Sequence, residues 1–253
     1  MELSKAKIKL YSSLAMKKHR QAEGLFVVEG TKCVLDTFNY FLVEAVVATN
    51  DWYEQHVDIN LPEDRCLKAT HRQLEQISSL STAPDVVGIY RIPDWKIDYD
   101  LINEDLTLVL DGVQDPGNLG TIMRIADWFG IRQIIASNDT VDVFNTKTIQ
   151  ATMGAISRVK VFYVNLTDFL SQQKGLPIYG TLLDGKNIYE SELANKGLII
   201  MGNEGKGISE DVRKFITNSL LIPAYPIGAI TSESLNVGVA TAITVSEFRR
   251  RSI

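Results

Sequence analysis

"LTLVLDGVQDPGNLGTIMRIADWF" (residues 106–129) decides the fold. It begins as a continuous apolar run, turns at Asp115-Pro116-Gly117, and resumes with apolar residues at helical spacing. A strand that reads apolar throughout, rather than alternating, expects cover on both faces. The unit recurs downstream: "RQIIAS", "RVKVFYV", "PIYGTL", "GLIIMG" and "SLLIPA" read as strands, with helix candidates such as "NTKTIQATMGA" between them. This alternation predicts an α/β domain, a parallel sheet with helices on both faces. Ligands of such sheets bind beyond the carboxyl ends of the strands. The loops at those ends are where chemistry is to be sought.

Upstream lies a smaller α/β unit. "LFVVEG", an apolar-periodic stretch at 31–38, "VEAVVAT", the helix candidate "ATHRQLEQIS" with Thr70 as N-cap, and the strand "VVGIYRI" fill it. "PDWKIDYDLINED" then breaks the pattern with a proline and a run of acids. The reading is a first domain at 1–95, a linker at 96–105 and a second domain at 106–253.

Composition narrows the class. With 253 residues, 45% hydrophobic and 23% charged, the chain has the make-up of a water-soluble globular protein. No apolar run approaches the roughly 18 residues of a membrane span, and the lysine-rich start lacks the apolar centre of a secretory signal. Cys33 and Cys66 have neither metal-ligand nor disulfide-framework spacing, so no metal and a reducing cytoplasm are expected. A net charge of −5 argues against a protein coated in nucleic acid. Its distribution differs: Lys5, Lys7, Lys9, Lys17, Lys18 and Arg20 crowd the start against a single acid, Glu2. That run reads either as a solvated helix face or as a patch that contacts phosphates.

Three polar loops follow strand ends. In the first, Asn118 is placed to cap the next helix. Arg124 projects from among Ile122, Met123, Ile125 and Ala126, and an arginine there calls for a carboxylate or a ligand phosphate. In the second, "GLIIMGNEGKGIS" (residues 197–209), Gly202, Gly205 and Gly207 bracket Glu204 and Lys206. It is neither a Walker A loop nor a dinucleotide fingerprint; it reads as a tight turn or as backbone brought close to a ligand. The third, "IPAYPIGAITSESLNVGVA" (residues 222–240), places Ser234 and Asn236 at the entrance of the last helix, where either serves as a cap.

Together these loops resemble the SpoU (TrmH-like) branch of the SPOUT RNA methyltransferases. Asn118, Gly120 and Arg124 match its first motif, Gly202, Glu204 and Gly207 its second, and Ile222, Pro223 and Ser234 to Val237 its third. The resemblance covers roughly residues 106–248, and 1–95 is similar to the L30e-like substrate-binding domain that precedes it in many members. It implies a C-terminal trefoil knot, S-adenosylmethionine as cofactor, a homodimer, and methylation of a ribose 2′-hydroxyl in RNA, 23S ribosomal RNA being preferred to tRNA. It further implies a cofactor site of Gly202, Asn203, Glu204, Gly207, Ile222, Pro223, Ser234, Leu235 and Asn236. A catalytic set of Arg124, Asn118, Ser234, Asn236 and Glu204 and RNA contacts from Lys17, Lys18, Arg20 and Arg124 follow in the same way. The chain departs from the family in a longer stretch at 224–233 and in Gly238, where many relatives have a small polar residue. A non-catalytic RNA-binding relative is the rival reading; the presence of Asn118, Arg124, Glu204 and Asn236 together speaks against it.

Overall fold

The computed structural model describes residues 1–59, 61–226, 232 and 234–250. They form two compact units, Met1–Asp94 with Asp142–Ser157, and Trp95–Val141 with Arg158–Ile253. The first unit thus takes in a segment from the middle of the expected second domain.

In the first unit the elements are α1 (Lys5–Ser13), α2 (Lys17–Glu23), β1 (Leu25–Glu29), α3 (Thr31–Thr37), β2 (Val43–Ala48), α4 (Asn50–Gln55), β3 (Cys66–Lys68), α5 (His71–Ile77) and β4 (Val86–Arg91). The sheet runs β1-β4-β2-β3, with β4 antiparallel to both neighbours and β2 parallel to β3. Thr70 caps α5 as its sequence predicts, and Gln73 closes the reciprocal capping box. Leu14, Leu67, Leu74 and Ile89, all fully buried, lie at the centre of the core.

The inserted segment carries α8 (Thr146–Thr152), capped by Asn145. Several contacts bind it into this unit. Arg20 Nε donates to Asp142 Oδ2 at 3.1 Å, Gln150 donates to the Glu29 carbonyl at 2.7 Å, and Phe26 packs on Phe144 with ring centroids 4.7 Å apart. Arg20 is only 2% exposed and also donates to the Leu14 and Ala15 carbonyls. This corrects its expected RNA contact: a guanidinium so enclosed holds helices together and has no surface to offer.

The second unit contains α6 (Tyr99–Glu104), β5 (Leu106–Leu110), α7 (Pro116–Trp128), β6 (Gln133–Ser137), β7 (Lys160–Val164), α9 (Leu166–Ser171), β8 (Ile178–Asn187), β9 (Gly197–Met201), α10 (Glu210–Arg213), β10 (Asn218–Leu221) and α11 (Val237–Arg250). Six strands run in the order β10-β8-β9-β5-β6-β7, every pair parallel. The central β5, β6 and β9 are buried along their whole length, as their unbroken apolar sequence requires. Each fully buried Leu or Ile there contributes about 1.5–3 kcal/mol. The stretch expected as linker folds into this unit: Asp98 caps α6 and Ile102 is fully buried. Successive strands run outward from β5 to β7, then resume on its other side with β8 and β9. The sense of winding therefore reverses between β5 and β9, and their carboxyl-end loops meet there.

Candidate active site

After β5 the chain reaches Gly112, whose φ of +73° is readily available to glycine alone. Asp115, not Asn118, caps α7: its Oδ1 accepts from the Asn118 backbone N–H at 2.8 Å, and Pro116 fills the first helical position. This correction frees the Asn118 side chain, which turns outward. Its Nδ2 donates to Glu204 Oε1 at 2.8 Å and its Oδ1 accepts from Asn236 Nδ2 at 2.9 Å. Asn236 Oδ1 in turn accepts from the backbone N–H groups of Gly238 and Val239, at 2.9 and 3.2 Å, and so caps α11. The two ends dictate the orientation. A carboxylate only accepts and helix N–H groups only donate, so each amide between them has one satisfying direction. Asn236 is therefore both a helix cap and a tie between loops.

The second loop closes on itself. Asn203 and Gly207 exchange both backbone hydrogen bonds at 2.9 Å, and Asn203 Oδ1 accepts from the Gly205 and Lys206 N–H groups. A side chain at Gly202 would place its Cβ 2.3 Å from the Gly207 carbonyl carbon. Glycine is required there for closure. Asn203 Nδ2 donates to the Gly112 carbonyl at 2.7 Å and joins this loop to the first.

Beside the loops lies a cavity of about 370 Å³, within the usual range of small-molecule sites. Gly202, Asn203, Glu204, Gly207, Ile222, Ser234 and Leu235 line it, as the sequence reading expects, whereas Pro223 and Asn236 do not. Thr181, Leu182 and Leu183 from β8, Leu220 and Leu221 from β10, and Val237 and Ala240 from α11 also line it and were missed. The strand candidate "PIYGTL" ends on Thr181 and Leu182, so the rule that ligands sit at strand carboxyl ends points to these two, although β8 itself runs on to Asn187. The cup divides into an apolar wall, with Leu183 76% exposed at its mouth, and a polar rim of Asn203, Glu204, Lys206 and Ser234. A ligand with a flat apolar ring system, a cationic centre and an amino-acid end suits that division.

Arg124 is exposed on α7 and makes no hydrogen bond or ion pair among the described residues, so the carboxylate alternative is not realised among them. Lys17 and Lys18 are exposed at the start of α2 in the first unit. Part of 224–233 lies outside the described residues. Gly238 is buried, and a Cβ there would stand 3.1 Å from Thr121 Cγ2, so the departure from the family serves close approach of α11 to α7.

A parallel α/β unit with a cup beyond β8, β9 and β10, closed by three hydrogen-bonded loops, defines an enzyme of the class that holds a small organic cofactor at a sheet edge. The model of the SpoU rRNA Methylase family matches residues 105–246, and that of the MRM3-like substrate binding domain matches 5–88. The chain belongs to the SpoU rRNA methylase family. Among curated proteins it is similar to the 23S rRNA (guanosine(2553)-2′-O)-methyltransferase RlmP of Bacillus subtilis, 28% identical over 96% of either chain. It is also similar to the 23S rRNA (guanosine-2′-O-)-methyltransferase RlmB of Neisseria meningitidis serogroup B, 34% identical over 61% of this chain and 62% of that one. Among solved structures, a TrmH-family protein from Porphyromonas gingivalis superposes with a TM-score of 0.89 at 38% identity, covering 99% of this chain and 100% of that one. An AdoMet-bound rRNA methyltransferase from Sinorhizobium meliloti gives 0.86 at 28% identity, covering 100% and 97%.

Proposed function

We propose that this chain methylates a ribose 2′-hydroxyl of 23S ribosomal RNA. The observation that carries the reading is the tie of Glu204, Asn118 and Asn236, which joins one residue from each loop and fixes Glu204 in the lining of the cup. A chain that only bound RNA would have no use for three loops tied together around such a cup. The activities of the RlmP and RlmB relatives support the 23S substrate and the 2′-oxygen.

S-adenosylmethionine supplies an electrophilic methyl group, which leaves the protein to hold the cofactor and bring a ribose oxygen into line. The apolar wall around Leu182, Leu183 and Ile222 would take the adenosine, and Glu204 and Ser234 the charged end. Glu204, fixed by Asn118, keeps the glycine loop in place; Asn118 also holds Asn236, which caps the first turn of α11. Pro223 shapes the backbone beside Ile222. Arg124 grips a phosphate next to the reacting ribose and orients it. Removing a proton from a guanidinium at neutral pH costs about 7 kcal/mol, which disfavours Arg124 as the base. Lys17 and Lys18 add phosphate contacts from the substrate-binding unit.

In this reading the protein works in the cytoplasm, its C-terminal segment threads the family's trefoil knot, and it acts as a homodimer. For the dimer, the supporting observation is an exposed face on α7 and α11. Trp128 is 85% and Val239 50% exposed, and Thr121 and Arg124 lie on the Trp128 side of α7. Light scattering on Trp128→Glu tests it: a monomer supports this interface and an intact dimer removes it. A crystal structure that traces 227–231 decides the knot.

Transfer of tritium from labelled S-adenosylmethionine to unmodified 23S ribosomal RNA, and separately to tRNA, tests the substrate. Label in the ribosomal RNA that vanishes with Arg124→Ala supports the proposal. Label in tRNA alone overturns it.

A further inference from the structure

The hydroxyls of Ser137 and Thr140 are buried at 8% and 2% exposure, and no step described so far uses them. Ser137 ends β6 and its Oγ accepts from the Gly112 backbone N–H at 2.9 Å. Thr140 Oγ1 stands 2.9 Å from Ser137 Oγ and donates to the Leu110 carbonyl at 3.4 Å. Because the single hydrogen of Thr140 goes to the Leu110 carbonyl, the order that satisfies every hydrogen runs Gly112 N–H to Ser137, Ser137 O–H to Thr140, Thr140 O–H to Leu110. Burying two hydroxyls where alanine and valine would pack is costly unless they hold something.

What they hold is the peptide of Gly112. Its left-handed conformation turns the N–H toward Ser137 and the carbonyl toward Asn203. Asn203 then carries the chain onward, its Oδ1 accepting from the Gly205 and Lys206 N–H groups, and both of those residues line the cup. The bonds are continuous from the Leu110 carbonyl to the glycine loop, and none of them passes through Asn118 or its bond to Glu204.

We propose that Ser137 and Thr140 are positioning residues for the cofactor loop, acting through Gly112 and Asn203; this rests on the S-adenosylmethionine reading of the cup. Without them Gly112 loses its fixed partner, Asn203 loses a fixed acceptor, and the loop's amides lose their register. The effect belongs to cofactor binding and not to the RNA.

The test is calorimetric titration of S-adenosylmethionine into the full chain and its Ser137→Ala, Thr140→Val and Thr140→Ser variants, with KM and kcat on RNA. Amide hydrogen exchange of the unliganded wild type accompanies it. Expected are a roughly tenfold weaker Kd and a matching rise in KM for the cofactor in Ser137→Ala and Thr140→Val. The kcat at saturating cofactor and the KM for RNA should stay within twofold of wild type. Thr140→Ser, which keeps the hydroxyl, should bind as the wild type does, and Gly112, Gly205 and Lys206 should be protected from exchange. A folded Ser137→Ala or Thr140→Val with wild-type Kd overturns the proposal, as does a fall in kcat without a change in KM. If both variants fail to fold, unprotected Gly112, Gly205 and Lys206 amides in the wild type overturn it, and protected ones support it. A wild type that binds no S-adenosylmethionine sinks the cofactor reading and this inference with it; wild-type binding with unchanged variants sinks this inference alone.

Discussion

Asn118 joins two partners of opposite kind, a carboxylate that only accepts and an amide that donates. Replacing it by Asp keeps the acceptor for Asn236 but sets a second negative charge against Glu204. Losing that hydrogen bond and adding the repulsion should cost about 2–3 kcal/mol, or roughly a hundredfold in kcat/KM. Adding Glu204→Gln restores a donor facing the new carboxylate, so the double variant should recover most of the loss, as a double-mutant cycle of methyl transfer would show. Arg124→Lys separates two roles by pH. As a base, lysine would move the rising limb of the rate profile down by about 2 units, following its lower pKa; as a phosphate grip it should lower the rate without reshaping the profile. Sequence reading misjudged the cap, which Asp115 supplies. Both Asp115 and Asn118 are good capping types, and only the Pro116 that follows Asp115 tells them apart. Arg20 misled for a related reason: composition marks it as one basic residue among many, whereas its burial depends on Asp142, 122 positions away.

At the scale of elements, β5 shows how strongly an unbroken apolar run constrains a structure. Every residue of it is buried, including Thr107, whose Oγ1 is buried without a hydrogen-bond partner among the described residues. Thr107→Val removes that hydroxyl and keeps the β-branch the strand favours. The substitution should stabilise by about 1 kcal/mol and raise Tm by roughly 2–4 °C in calorimetry. Unchanged or lowered stability would mean that the hydroxyl is satisfied in solution. All six strands of the larger sheet were legible because helix-covered parallel strands advertise themselves as apolar runs. Less legible was α6. Its run of acids reads as solvated linker, although Asp98 is a helix cap and Ile102 the one residue that must be buried. The β8 wall of the cup was missed because Thr181, Leu182 and Leu183 carry no chemistry of their own and line the cavity mainly as apolar surface.

At the scale of the whole molecule, the division into two units is interleaved in sequence: 142–157 lies within the span that matches the methylase family yet belongs to the first unit. No local pattern announces such an exchange, since Asn145 and α8 read the same in either place. Its energetic mark is the Arg20–Asp142 pair, 2% and 15% exposed. Breaking a buried pair by removing one partner costs about 3–5 kcal/mol. Arg20→Ala should therefore markedly destabilise the first unit in denaturant unfolding. Lys18→Ala, at an exposed position, should leave stability within about 0.5 kcal/mol and instead lower RNA affinity and its salt slope. Equal stability of the two variants would contradict the structural role given to Arg20.

The account as a whole stands on the atom that receives the methyl group. Unmodified 23S ribosomal RNA, treated with the protein and S-adenosylmethionine, should be digested to nucleosides and analysed by mass spectrometry. The expected result is a single new nucleoside methylated on its ribose 2′-oxygen, absent with Arg124→Ala. A methyl group found on a base, or a 2′-O-methyl product undiminished by that substitution, would contradict it.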